Sequence, residues 1–490
     1  MRILMISSEV ESLARTGGLG DVVEALSLAL ASAGAEVMVV TPLYGVSRVP
    51  RQVSHWEGTV ETRWGWGPHD VHHVSVVELE PVRFPSGGSR RTCLVDAPAL
   101  YQRHGLYGDA YGEFGDNAHR FAVMSRAALE ISLRAWPDTR GPDVIHAHDW
   151  HATFAILYAK MVMGDVWSRK GTVFTVHNLQ FQGLLDEGAL DRLHLPREAF
   201  RPEVLWSEGN VNLMKGATAL ADRITTVSPT YAREILTPEG GFGLDGHLRA
   251  HAGRLRGILN GIDVERFDPR SDSAIRAPYD AAGMVEGKAA CKAALALELG
   301  LDGADGPLFG SVGRLAWQKG IDLLVPLLGE IVERGGRVVV VGQGDRHLED
   351  QLMHAQAQFK GKVGVRIAFD PPMSRRIYSA TDFFFVPSRF EPCGLTQMYA
   401  MRYGSIPIVT DVGGLHDTVP PIDRDRNTGV GLLADMPMHD DLLGATRDAF
   451  TLWADTDAFR HAARRGMAED FSWALPANEY LALYGEVLAR

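Results

Sequence analysis

"RILMISSEVESLARTGGLGDVVEALSLALASAGAEVMVVTP", residues 2–42, switches twice between two kinds of patterning. The apolar run at its start and "EVMVVTP" at its end (36–42) read as buried strands. Between them Leu19, Val22, Val23, Leu26, Ala29 and Leu30 recur at helical spacing. Gly34 sits where a helix would end on a left-handed residue. Strand, glycine loop, helix and strand make a βαβ unit, which predicts parallel strands joined by a right-handed crossover.

The same grammar returns in the second half of the chain. "PLFGSVG" (307–313) predicts a strand, "GIDLLVPLLGEIVERGG" (320–336) a helix with Ile321, Leu324, Leu328 and Ile331 on one face, and "RVVVVG" (337–342) another strand. "VGVRIAF", "DFFFVPS" and "SIPIVT" carry the alternation to 410. A chain of 490 residues exceeds what one core normally supports, so two domains are expected. The boundary falls in "LRGILNGIDVERFDPRSD" (255–272), where strand-like residues give way to Asn-Gly and Asp-Pro turns. This divides the chain into 1–255, 256–470 and a last segment, 471–490, whose Tyr480, Leu483, Tyr484, Val487 and Leu488 form a helical stripe. Residues 51–120 interrupt the pattern with a hairpin and aromatic, glycine-rich loops. The expected fold is α/β, two Rossmann-like doubly wound domains facing a central cleft, with ligands at the carboxyl ends of the strands.

Composition narrows the partners. The net charge of −12 is spread without a Lys/Arg block, which argues against nucleic acid and membrane surfaces, so an anionic ligand must meet a local basic site. Cys93, Cys291 and Cys393 form no disulfide framework, which suits a reducing compartment. "MRILMISSEV" reaches Glu9 too soon for a signal peptide, and no apolar run is long enough to span a bilayer; a cytoplasmic protein is expected.

Four stretches carry candidate chemistry. In "RTGGLG" (15–20), Gly17, Gly18 and Gly20 do not have the dinucleotide-binding spacing, yet adjacent glycines before a helix let backbone N–H groups approach an anion. The alternative is a plain turn with Arg15 in solvent. In "VGRLAWQKG" (312–320), Arg314 and Lys319 leave the carboxyl end of a strand; solvated surface charge is the alternative. "SRFEPCGLTQMYAMRYG" (388–404) places Glu391, Cys393 and Gly394 before a helix whose first turn offers the amides of Leu395 and Thr396. There Glu391 could simply cap the helix and Cys393 simply pack. "VIHAHDWH" (144–151) approaches a binuclear metallo-hydrolase run, with His146, His148, Asp149 and His151, but Trp150 stands where the carboxylate belongs. His177 and Asn178 end another strand, and the D-x-D matches at 423–425 and 455–457 read as solvated carboxylates.

Taken in order, "SSEV…RTGGLGDVVEAL", "HAHDWH", "TVHNLQFQG", "ILNGID", "VGRLAWQKG" and "EPCGLTQMYAMRYG" resemble bacterial glycogen synthases and plant starch synthases, from the first strand to the last helix. The resemblance implies the GT-B fold, with the final helix crossing back to the first domain. It also implies a reaction: glucose passes from a nucleotide-sugar, usually ADP-glucose, to the non-reducing end of an α-1,4-glucan such as glycogen or a malto-oligosaccharide, with retention and without a metal or other cofactor. By the same matching Arg314 and Lys319 bind phosphate, Glu391 holds glucose hydroxyls, and Asp149, His177 and Asn260 line the sugar pocket. Arg15, Gly17, Gly18, Asp21, Asn178, Cys393, Gly394, Leu395 and Thr396 then belong to the nucleotide-sugar site. The binding groups are split between the two halves, so domain closure is expected. One residue departs from the pattern: the family's loop begins with lysine, and this chain has Arg15. Arginine keeps the charge but offers a planar fork, so UDP-glucose use stays open. A sucrose- or trehalose-forming transferase, a non-catalytic glucan-binding protein and the metallo-hydrolase are the other readings.

Overall fold

The computed structural model describes residues 1–49, 53–63, 71–109, 111–139, 141–303 and 305–489; for 53–63, 71–73 and 139 it describes the backbone alone. Parts of the hairpin expected within 51–120, residues 51–52, 64–70 and 110, lie outside these. Two units form: Met1–Gly261 with Trp473–Arg490, and Ile262–Ser472. The first unit runs past residue 255 because Leu255–Gly257 is a strand that pairs in parallel with Arg223–Thr226.

The first unit is built on a sheet with ten described strands, one of them the short Val82–Arg83 set antiparallel beside Ser89–Asp96. Its parallel part runs Leu255–Gly257, Arg223–Thr226, Gly171–Val176, Val144–His148, Arg2–Ile6, Glu36–Pro42 and Ser89–Asp96. Val71–Leu79 and Val53–Arg63 extend it antiparallel, so the inserted hairpin is part of the main sheet. From Arg2–Ile6 the chain first builds outward through Glu36–Pro42, then returns to build the other side from Val144–His148. The order therefore reverses between these two central strands, a topological switch point that opens a crevice at their carboxyl ends. Helix Gly18–Ser32 covers one face with Val22, Val23, Leu26 and Leu30, and Gly34 adopts φ 100° just beyond it.

The C-terminal helix Ala474–Leu488 packs into the same core. Tyr480, Leu483, Tyr484 and Val487 join Ile3, Met5, Leu26 and Val173 in one buried cluster. Leu488 does not follow the expected stripe: it is 43% exposed, in the last turn of the helix.

The second unit has a six-stranded sheet, all parallel, in the order Val363–Ile367, Arg337–Gly342, Leu308–Val312, Phe383–Val386, Ile406–Thr410, Leu432–Ala434. Its switch point lies between Leu308–Val312 and Phe383–Val386. The helix expected over 320–336 is broken: Ile321–Leu324 and Leu328–Glu333 are α-helical, and Val325–Leu327 is a 3-10 turn. Pro326 explains this, since it has no N–H and its ring crowds the preceding turn. Ile321, Leu324, Leu328 and Ile331 are nevertheless all buried.

Candidate active site

Each switch point gathers the candidate residues of its own unit. In the first, the chain leaves Arg2–Ile6 through a loop closed by Val10 and Ala14, and Glu11 N donates to Gly20 O at 3.2 Å. The Glu9 carboxylate, 3% exposed, holds the glycine turn. It accepts from Thr16 N (2.7 Å), Thr16 Oγ1 (2.8 Å), Gly17 N (3.3 Å) and the Tyr107 hydroxyl (2.6 Å). Gly17 is the N-cap of the helix and supplies no side-chain cap, so the first-turn amides stay available to an anion. Sequence reasoning missed Glu9 and Tyr107; "SSEV" quotes the first without a role, and nothing local marks the second.

Arg15 is engaged by acids. Its guanidinium pairs with Asp21 and lies 3.5 Å from Glu11. Two residues expected to meet the nucleotide-sugar thus meet each other, on a side chain only 17% exposed.

On the other side of the switch point, Val144–His148 ends in Asp149, which adopts φ 58° and ψ 177°. That conformation is rare outside glycine and costs about 1–3 kcal/mol, the kind of strain that collects at functional sites. It is fixed from the neighbouring strand: Asp149 N donates to Thr175 O at 2.9 Å, and the carboxylate accepts from His177 N (2.7 Å) and Asn178 N (3.4 Å). Burial raises the Asp149 carboxyl to about 7; the two amides oppose the shift and the Glu9 charge adds to it. Asp149, His177 and Asn178 therefore form one constellation.

The histidines behind it are buried. His146 has both ring nitrogens bonded, Nδ1 to the Tyr484 hydroxyl (2.7 Å) and Nε2 to Thr175 Oγ1 (2.6 Å). His148 Nδ1 faces His177 Nε2 at 2.9 Å, and His151 stacks on Tyr107 at 4.6 Å. Burial pushes His146, His151 and His177 down to about 3, so all three are neutral near pH 7. With no lone pair of His146 left for an ion, the metallo-hydrolase reading loses its first ligand. Among the described residues no group of three His, Cys, Asp or Glu side chains is placed to hold a metal ion. Asn260 is buried, and its Oδ1 has no hydrogen-bond partner, an acceptor that a ligand would satisfy.

In the second unit the loop after Leu308–Val312 carries Arg314 and Lys319, and the loop after Phe383–Val386 carries Glu391. Lys319 Nζ lies 2.5 Å from Glu391 Oε2, which also accepts from Ser388 Oγ at 2.8 Å. Gly320 makes the approach possible. At φ 64° a Cβ there would stand 1.9 Å from Pro387 O, so only glycine fits where the two loops cross. Arg314 is exposed and reaches Gln318 Oε1 at 3.1 Å.

Beyond Glu391 the structure corrects one detail. The helix begins at Thr396, with Leu395 as its N-cap, because Gly394 takes a left-handed turn at φ 71°. Among the described residues, the amides of Leu395 and Thr396 have no hydrogen-bond acceptor. Cys393 is 5% exposed, and its carbonyl accepts from Gln397 Nε2 at 3.2 Å. Both D-x-D matches are tied into surface structure: Asp423 accepts from Asp425 N and Arg426 N, and Asp455 pairs with Arg424 at 2.6 Å.

Comparison with known proteins places these features in a family. Residues 2–250 match the starch synthase catalytic domain, and 306–445 match the glycosyl transferases group 1 domain. The chain is 44% identical to a glycogen synthase of Anaeromyxobacter dehalogenans (strain 2CP-C), covering 99% of each chain. It is 41% identical to that of Myxococcus xanthus (strain DK1622), covering 100% of both. Among solved structures, the catalytic domain of starch synthase IV from Arabidopsis thaliana, bound to ADP and acarbose, superposes with a TM-score of 0.90 at 33% identity, over 100% of this chain and 99% of that one. A sucrose-phosphate synthase from Thermosynechococcus elongatus shares the fold, with a TM-score of 0.61 at 21% identity, over 100% of this chain and 99% of that one. The two α/β units are thus those of a GT-B enzyme, and the chain belongs to the hexosyltransferase family of bacterial glycogen synthases and plant starch synthases.

Proposed function

We propose that this chain transfers glucose from ADP-glucose to the non-reducing 4-hydroxyl of an α-1,4-glucan, with retention of configuration and without a metal ion. The observation that carries the reading is the Lys319–Glu391 contact at the switch point of the second unit. Breaking the anomeric bond builds charge on the leaving diphosphate, and fixed cations aimed at that charge lower the barrier. Arg314 and Lys319 supply the cations, and the unbonded amides of Leu395 and Thr396 supply dipoles of the same sign. Glu391, freed from Lys319 as phosphate arrives, accepts from glucose hydroxyls. In the first unit the amides after Gly17 and the Arg15 charge serve the donor, while Asp149, His177, Asn178 and Asn260 line the sugar. The leaving phosphate oxygen takes the proton of the acceptor hydroxyl. ADP is favoured because the solved starch synthase relative was bound to it. A cytoplasmic setting suits three free cysteines and a chain in which no described helix is long and apolar enough to cross a membrane.

The test is incubation with ADP-glucose or UDP-glucose and a malto-oligosaccharide, with and without a chelator, followed by product chain length and anomeric linkage. Faster elongation with ADP-glucose, unchanged by chelation and giving α-1,4 products, supports the proposal. Preference for UDP-glucose, chelator-sensitive transfer or inverted products would each overturn its corresponding part.

A further inference from the structure

We infer that His148, which reaches no ligand itself, is a positioning residue that holds His177 as an Nδ1–H donor facing the sugar. His148 is fully buried, and its Nδ1 lies 2.9 Å from His177 Nε2, so one ring donates to the other. Burial keeps both imidazoles neutral, which leaves one ring proton on each. Two arrangements satisfy the contact. In one, His177 donates from Nε2, and His148 must carry its own proton on Nε2. That atom is buried and has no partner, so a donor would be orphaned.

In the other arrangement His148 donates from Nδ1, and its buried Nε2 is a bare lone pair. Orphaned donors are rarer and more costly in proteins than under-used acceptors, so the second arrangement is favoured. The His177 proton then sits on Nδ1. Among the described residues that nitrogen has no hydrogen-bond partner, and unlike His148 Nε2 it is not a fully buried atom. His148 cannot swing away. Its ring centroid is 4.1 Å from that of His146, which is bonded at both nitrogens, and the His177 backbone is tied to Asp149. The ring beside Asp149 thus presents a fixed N–H to the ligand side, suited to a sugar hydroxyl or ring oxygen.

This inference rests on the proposed glucosyl transfer only for what the donor meets; the tautomer stands apart from it. Histidine-selective 15N spectroscopy of the intact enzyme, with His177→Gln used for assignment, should place the His177 proton on Nδ1. In His148→Phe the His177 signals should move to the Nε2–H form or a mixture, and kcat should fall roughly ten- to hundred-fold while KM for the nucleotide-sugar changes by less than about two-fold. His148→Asn, whose amide can donate from about the position of Nδ1, should restore both the tautomer and most of kcat. An Nε2–H His177 in the unaltered enzyme would overturn the inference. So would equal losses in the Phe and Asn variants with the His177 tautomer unchanged. If His148→Phe does not fold, the tautomer of the unaltered enzyme and of His148→Asn still decides. An enzyme that shows the Nδ1–H tautomer but transfers no glucose would count against the proposed function and leave the positioning role intact.

Discussion

Lys319 Nζ and Glu391 Oε2 lie 2.5 Å apart, across the two loops that leave the central strands of the second unit. The carboxylate is 7% exposed and the ammonium 27%, so the pair is largely shielded from solvent screening. Losing the cation leaves a buried charge held by Ser388 alone, at a cost of about 1–3 kcal/mol. Stability of the whole fold is normally larger than that. Lys319→Ala should therefore stay folded, with unchanged circular dichroism and a lowered Tm, while turnover falls roughly hundred-fold or more. Adding Glu391→Gln to Lys319→Ala should recover Tm without recovering turnover. A Lys319→Ala enzyme with full kcat would remove the phosphate role.

Gly320→Ala tests the same contact without touching a charge. The new methyl group would press on Pro387 O in a backbone conformation that alanine disfavours. A loss of about 2 kcal/mol or more is expected in denaturant unfolding, with reduced kcat because Lys319 is displaced from Glu391. Unchanged stability would show that the loop crossing is slack.

In the first unit the corresponding device is Glu9. Its carboxylate accepts four hydrogen bonds, three of them from Thr16 and Gly17. Glu9→Gln replaces one acceptor oxygen by an amide donor facing those donors. The amides of 15–18 should exchange faster with deuterium, and kcat/KM should fall roughly ten-fold. Exchange rates like those of the unaltered protein would assign the loop's order to something else.

Arg15→Ala should cost about 1.5–3 kcal/mol of transition-state stabilisation, roughly ten- to hundred-fold in kcat/KM. Because Arg15 is paired with Asp21, Asp21→Asn gives the control. If the guanidinium serves phosphate, the Asp21 variant should lose less than the Arg15 variant. Equal losses would mean that the ion pair matters only for the loop.

Much of this architecture is legible in the sequence because it is local. The βαβ grammar marks both sheets, and strands such as Glu36–Pro42 and Arg337–Gly342 are bounded by the polar and glycine residues that flank their apolar runs. What is not legible depends on tertiary placement. Nothing around Asp149 indicates a positive φ, since its cause is a neighbouring strand some thirty residues away. Glu9 meets Tyr107 across 98 positions, and no periodicity records that contact. The histidine run has near-ligand spacing, yet the hydroxyls of Thr175 and Tyr484 take both ring nitrogens of its first member, His146. Pro326 was visible, but apolar spacing alone carries a helix through it that the backbone cannot follow.

Acid should separate the Asp149 carboxyl from its histidine neighbours. Burial raises Asp149 to about 7, so the folded enzyme carries its charge only above that pH. If the charged form steadies the electron-poor sugar, kcat/KM rises through about pH 7 and then levels. Asp149→Asn should be slow throughout and lack that limb, whereas His177→Gln should keep it, because His177 titrates near 3. Stability runs the other way for the two kinds of group. His146, His151 and His177 drop from an ordinary 6.5 to about 3, so on acidification the unfolded chain takes up their protons first. Each then lowers folding stability by about 1.4 kcal/mol per pH unit over the window from 6.5 towards 3. Asp149, raised from 3.8, holds its proton in the folded state first, and so offsets about one histidine between 7 and 3.8. Urea midpoints should therefore fall from pH 7 to pH 5, and fall more steeply in Asp149→Asn. A midpoint that rises on acidification, or a shallower fall in the variant, would contradict the buried, uncharged state of these histidines or the raised carboxyl.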